Sequence, residues 1–251
     1  MKAIAQRRDT ASPDVLVGRV LCHDVRDGAG KVAVEKGARL DAQTAGILLA
    51  TPWEEIHLLA VEPGDLHEEE AGQRLASAVV GNGVEVKGYT GGQWTLVSMR
   101  RGLLQVRRAA LADVNALEGI SVFTLIDLQP VELGETVAKC KVTPLVIPGE
   151  TIRGVEKIAG DADGLVAVRA FKPMTIGAIA QERLDRKQRE RFETALTQKI
   201  EWFSSRLLPI RYATGSPRAV AEALGALRSD GAEVLVVAGA SALDPLDPVF
   251  G

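Results

Sequence analysis

The feature that most limits the fold lies near the C-terminus. Glu233 is followed by an unbroken apolar run, Val234-Leu-Val-Val-Ala238, and then at once by Gly239-Ala240-Ser241 and two Asp-Pro pairs, Asp244-Pro245 and Asp247-Pro248. A short run of β-branched and aliphatic residues with no polar alternation predicts a strand buried on both faces. The small residues after it let the backbone turn tightly and approach a ligand closely. Asp244 and Asp247 then stand just past the strand's C-terminal end, which is where open α/β sheets bind ligands.

The residues before this run fit the same architecture. Thr175 to Ala180 reads as a compact apolar strand. Residues 185–207 read as a long charged helix with Phe192, Leu196, Ile200 and Phe203 at helical spacing. Residues 208–212 read as a second strand. Ser216-Pro217 is an N-cap with proline at the first helical position, Val220, Leu224 and Leu227 give that helix its apolar face, and Gly231 closes it. Strand–helix–strand–helix–strand predicts a doubly wound parallel sheet with right-handed crossovers.

The first strand of this unit runs into Ala180-Gln181-Glu182-Arg183, which is neither a Gly-x-Gly-x-x-Gly fingerprint nor a P-loop. That leaves the turn at Gly239, Ala240 and Ser241 as the candidate anion site. Gly239 and Ala240 offer backbone N–H groups with little steric cover, and Ser241 adds a hydroxyl. The carboxylates of Asp244 and Asp247 are placed to hold Mg²⁺ or to orient a polar ring edge. The same residues also fit a plain strand-to-loop turn with two Asp-Pro caps.

The chain of 251 residues has room for two domains. Lys172-Pro173 marks the expected boundary, with an α+β domain of short strands at 1–172 and an α/β domain at 173–251. In the first, strands are expected at 15–21, 31–34, 55–61, 84–89, 94–98, 103–106, 120–125 and 137–146. Hairpin turns are read at 90–92 and 100–102. Helices are expected after Asp41 and Asp65 as caps, at 107–117 and at 152–159, and residues 165–171 read as a connecting strand. His67 beside Glu68, Glu69 and Glu70 allows a metal reading or a solvated acidic helix start. Arg100, Arg101, Arg107 and Arg108 allow an anion site or a solvated basic rim. His23 and His57 lack ligand spacing and read as structural. Cys22 and Cys140 lie too far apart in the sequence for a zinc spacing and form no disulfide framework; they read as small apolar residues in strands.

Bulk properties exclude several classes. A net charge of -3 gives no basic footprint for nucleic acid, and with 4% aromatic residues base-stacking platforms are not expected. No stretch approaches the roughly 20 apolar residues of a membrane span. Residues 1–10 lack the apolar segment of a signal peptide, so the cytoplasm is the default expectation.

Gly239-Ala240-Ser241 followed by Asp247-Pro248 resembles the Gly-Gly-Thr/Ser…Asp signature of the molybdopterin-binding fold shared by molybdenum-cofactor biosynthesis proteins, the MoeA-like domain family. It is most similar to a bacterial group of molybdopterin-binding proteins whose version reads Gly-Ala-Ser-Ala. The resemblance extends to Val17-Gly-Arg-Val-Leu-Cys-His-Asp24, Glu62-Pro-Gly-Asp-Leu-His-Glu68 and Val142-Thr-Pro-Leu-Val-Ile-Pro148. It implies a three-layer α/β domain binding molybdopterin. Gly239, Ala240 and Ser241 would line the pterin phosphate, and Asp247, with Asp244 as the alternative, would serve metal insertion or adenylyl transfer with Mg²⁺. The partner would be a pterin or nucleotide-like small molecule, in a homo-oligomer, with any catalysis of the nucleotidyl- or molybdenum-transferase type. Two departures from the family pattern are Ala240 in place of the second glycine and a sheet expected to be incomplete, with an open edge left for further chain or a partner.

Overall fold

The structure is a computed structural model describing residues 2–213, 216–239, 242 and 244–246. Helices and sheets are mixed along the whole chain. Its contacts divide it into two compact units, one ending at Ala170 and the other starting at Phe171.

The first unit opens with β1 (Lys2–Arg7), α1 (Pro13–Leu16), β2 (Arg19–Leu21), β3 (Val25–Arg26), β4 (Val32–Val34), α2 (Ala42–Ala50) and β5 (Glu55–Ala60). β5 lies between β1 and β2, antiparallel to both. Only the second half of the strand expected at 15–21 forms. Ser12-Pro13 starts a helical turn instead, and Gly18, at φ +82°, ends it. Leu16 from that turn joins Leu21, Leu40, Leu48, Ile56 and Leu58 in a fully buried core. α2 begins as expected at Asp41, in a reciprocal capping box with Thr44: the Asp41 carboxylate accepts from the Thr44 N–H at 2.7 Å, and the Asp41 N–H donates to the Thr44 hydroxyl at 2.8 Å. The Thr44 N–H first, and its hydroxyl second, hold the Asp41 carboxyl below its ordinary value.

Next come β6 (Asp65–His67), α3 (Glu68–Val79), β7 (Val84–Thr90), β8 (Gln93–Ser98), β9 (Gly102–Val106), α4 (Arg108–Asn115), β10 (Ile120–Thr124), β11 (Pro130–Val131), β12 (Thr136–Val142), β13 (Val146–Pro148), α5 (Gly149–Asp161) and β14 (Val166–Ala170). β7 and β8 form a hairpin through Gly91 and Gly92, whose φ values of +60° and +76° suit glycine. The hairpin expected at 100–102 does not form. β9 turns away from β8 into a separate sheet ordered β11-β9-β14, while β8 pairs β12 in the sheet β10-β12-β8-β7. β14 is therefore a paired strand of this unit rather than a connector. Asp65 does not cap α3: it sits in β6, and the cap is His67. The strand expected at 137–146 is two strands separated around Pro144. The α3 and α5 helices pack on these sheets through Leu75, Val79, Ile152 and Val155, all fully buried with Leu96, Leu104 and Cys140. Burial pushes the Cys140 thiol up to about 12, so it behaves as an apolar filler.

The second unit contains β15 (Thr175–Ala180), α6 (Arg186–Trp202), β16 (Arg206–Leu207), β17 (Arg211–Tyr212), α7 (Pro217–Ser229) and β18 (Val234–Ala238). Its strand pairings among the described residues are all parallel. The single strand expected at 208–212 is divided into β16 and β17 by a segment containing Pro209, which has no N–H for the ladder. α6 ends earlier than residue 207, at Trp202, and Ser204 beyond it takes φ +58°. α7 packs on β15, where a Cβ added at Gly177 would stand 3.0 Å from the Cβ atoms of Leu227 and Ala232. The centre of the sheet is β15, with Ala178 and Ile179 buried.

The C-terminal apolar run is a strand, but not the central one and not buried on both faces. β18 pairs β15 on one side, and among the described residues no strand pairs its other side. Leu235 is 39% exposed and Val236 36% exposed, on opposite faces by strand alternation. The apolar composition of the run reports what its faces can be packed against, and an edge position leaves part of both uncovered.

Candidate functional site

The pairing order of the second unit builds a crest at the C-terminal ends of its strands. The chain leaves β15, forms α6, returns as β16 and β17 on one side of β15, then forms α7 and returns as β18 on the other side. Ala180 pairs Tyr212 on one flank and Ala238 on the other. The ladder closes there. The Gln181 N–H donates to the Ala238 carbonyl at 2.8 Å, and the Ala213 N–H donates to the Ala180 carbonyl at 3.1 Å. Strand order reverses between β15 and β18, since β16 and β17 lie on one side of β15 and β18 on the other. Such a switch point is the favoured ligand position in open parallel sheets.

Of the sequence-derived site residues, Gly239 lies at this crest directly after β18, and its carbonyl accepts from the Ala242 N–H at 3.2 Å. Asp244 is exposed, and its carboxylate accepts from the Leu246 N–H at 2.9 Å in an Asx turn of its own loop. Ala240, Ser241 and Asp247 lie outside the described residues.

Gln181 was not singled out by the sequence pattern. It follows the last residue of β15, and its Oε1 is buried with no hydrogen-bond partner among the described residues. Nothing in Ala-Gln-Glu-Arg marks it in advance, because the neighbour that fixes its place is Ala238, far along the chain. Tyr212 was also missed. The Arg189 guanidinium stacks 4.0 Å from its ring centroid, and its hydroxyl donates to Glu193 Oε1 at 2.8 Å. Burial, then the Glu193 carboxylate, push this phenol up to about 12. The available signal was the i, i+4 spacing of Arg189 and Glu193 on α6.

The described residues test the implied groups as follows. No cluster of three or more His, Cys, Asp or Glu side chains able to hold a metal occurs among them, and Asp244 alone does not make a Mg²⁺ site. The orphaned Gln181 acceptor does fit a ligand that brings a hydrogen-bond donor to the crest. At His67, Nδ1 accepts from the Glu69 N–H at 3.3 Å and Nε2 donates to the Gly37 carbonyl at 2.7 Å, so backbone groups occupy both ring nitrogens and the residue acts as a helix cap. His23 Nε2 accepts from the His57 N–H at 3.2 Å. Arg101 pairs with Glu132 at 2.7 Å. Separately, Glu118, Gly119, Thr143, Pro144, Ile147 and Thr151 border a groove of about 550 Å³ in the first unit.

No family model and no curated protein sequence matches the chain. One solved structure with a distant likeness is a molybdopterin biosynthesis MoeA protein from Pyrococcus horikosii. The identity is 11%, the TM-score is 0.21, and the alignment covers 71% of this chain and 64% of that one. The chain thus spans slightly less than two thirds of that protein's length. Among the described residues, no helix is long and apolar enough to cross a membrane.

Proposed function

We propose that the second unit binds molybdopterin, or a closely similar phosphorylated pterin, at the crest of its parallel sheet, and acts in molybdenum-cofactor biosynthesis or handling. The observation that carries this reading is the switch point between Ala180 and Ala238, with Gly239 next in the chain at the start of the Gly-Ala-Ser sequence. In this reading the backbone N–H groups of Gly239 and Ala240 and the hydroxyl of Ser241 hold the phosphate. Asp247, with Asp244 behind it, orients the ring edge or a divalent cation.

The test is direct. The purified chain is denatured, its released pterin is oxidised and measured by fluorescence, and binding of a pterin monophosphate is followed by calorimetry. Retained pterin or saturable binding is expected, with a loss of at least tenfold in Ser241→Ala and Asp247→Ala. Absence of both from a folded wild-type chain overturns the reading.

A second reading is a non-catalytic scaffold built on the same fold. Its support is the apolar surface left on the second unit, Leu235 and Val236 on β18 and the half-buried Phe192, Leu196 and Ile200 of α6. An enzyme acting on another nucleotide-like metabolite is separated from both by assaying AMP transfer from ATP with Mg²⁺.

A further inference from the structure

Two buried side-chain polar atoms lack a hydrogen-bond partner among the described residues, Trp94 Nε1 and Gln181 Oε1. The first lies against a helix: a Cβ added at Gly72 of α3 would stand 2.6 Å from it, which leaves no room for a ligand there. The second is at the crest, one residue beyond the last rung of β15, with its own backbone N–H committed to Ala238. Buried acceptors are satisfied in the great majority of proteins, and an exception calls for an explanation such as a ligand. Strand alternation places Gln181 on the side of the sheet that carries Gly177 and Ile179, under α7. α7 starts shortly after β17, so its N-terminus lies at the same end of the sheet as Gln181, and its Ser216 cap is bound to the Ala219 N–H at 3.3 Å.

We infer that Gln181 reads the ring of the crest ligand: its Oε1 accepts from a lactam or amino N–H on a fused pyrimidinone. The assignment rests on the proposed crest site and adds to it a specificity determinant that acts on the ring and not on the phosphate. A carboxamide suits this task because it is neutral, so its carbonyl accepts without repelling an anionic ligand. A site built to pair a substrate N–H discriminates sharply against analogues without one.

The experiment compares the full wild-type chain with Gln181→Met, which keeps the length and removes the acceptor. Two probes are titrated, a pterin monophosphate and inorganic phosphate, and the melting temperature of each ligand-free protein is recorded. The expected result is about a tenfold loss of affinity for the pterin monophosphate in Gln181→Met, the size of one hydrogen bond. Phosphate affinity should be unchanged. The ligand-free variant should melt at the same or a higher temperature, because an unpaired buried acceptor has been removed. A purely structural glutamine would instead lower the melting temperature and leave the ratio of the two affinities unaltered, and that outcome overturns the assignment. If the wild type binds the pterin monophosphate and Gln181→Met binds it equally well, the inference fails while the crest site stands. If the wild type binds neither probe, both fail.

Discussion

The side chain of Asn115 closes both backbone hydrogen bonds of Val122. Its Oδ1 accepts from the Val122 N–H at 2.8 Å, and its Nδ2 donates to the Val122 carbonyl at 3.1 Å. Val122 lies on β10, the edge strand of the four-stranded sheet of the first unit. The carboxamide therefore stands in for a neighbouring strand and blunts an edge that would otherwise be open to pairing.

Replacing Asn115 with Leu leaves the Val122 N–H and carbonyl without these partners. The expected loss is about 2 kcal/mol of unfolding free energy, read from the urea midpoint at unchanged slope. Concentration-dependent association of the variant through the opened edge is the second readout. A change within about 0.5 kcal/mol, the range of an ordinary surface substitution, would show that Asn115 contributes nothing there.

Arg74 on α3 and Glu156 on α5 form a two-pronged ion pair, Nε to Oε1 at 2.8 Å and Nη2 to Oε2 at 2.9 Å. The hydrogen bond from Arg74 holds the Glu156 carboxyl below its usual 4.5, against a smaller opposing effect of burial. A depressed carboxyl stabilises the fold above its unfolded value and loses that contribution as pH falls. The urea midpoint of wild type should thus exceed that of Glu156→Gln at neutral pH, and the difference should shrink below pH 4.5. Both side chains are more than a third exposed, so the pair is worth at most about 1 kcal/mol after solvent screening. A difference that persists undiminished at pH 3 would contradict this account.

Tyr212 behaves in the opposite sense. Its phenol is raised from 10.0 to about 12, so the neutral form is favoured by folding. Its contribution is complete below pH 10 and is lost as pH rises through about 12. Titration of tyrosinate absorbance should show this late step, and Glu193→Gln should move it only part of the way down, because burial is the larger cause. Tyr89, the other tyrosine, is also raised, by burial first and then by Glu68 and Glu69. Assignment therefore needs Tyr89→Phe as the background. If Tyr212 titrates near 10, the stacked and bonded geometry around it is wrong.

Parts of this architecture were legible from short-range chemistry. Asp41-x-x-Thr44 and Ser216-Pro217 start helices where they were expected, since a cap is decided by atoms three residues apart. The alternation of strands and helices after residue 174 was readable for the same reason. Readings failed where a distant partner decided. Leu103 to Val106 forms a strand as expected, but it joins β11 and β14 rather than its predecessor in sequence. Asp65 has the chemistry of a cap, yet pairing with Pro148 in β13 takes it into a strand.

The candidate site divides along the same line. The amino-acid order alone determined that small residues follow an apolar strand at 239–241 and that carboxylates come soon after, because both are properties of neighbours in the chain. Only the tertiary structure decided that β15 and not β18 holds the centre of the sheet, that Ala180 and Ala238 meet at a switch point, and that Gln181 beside them has an acceptor unanswered among the described residues. Strand order is set by which long-range pairings bury the most surface with every backbone group bonded, and residue periodicity carries no record of that choice.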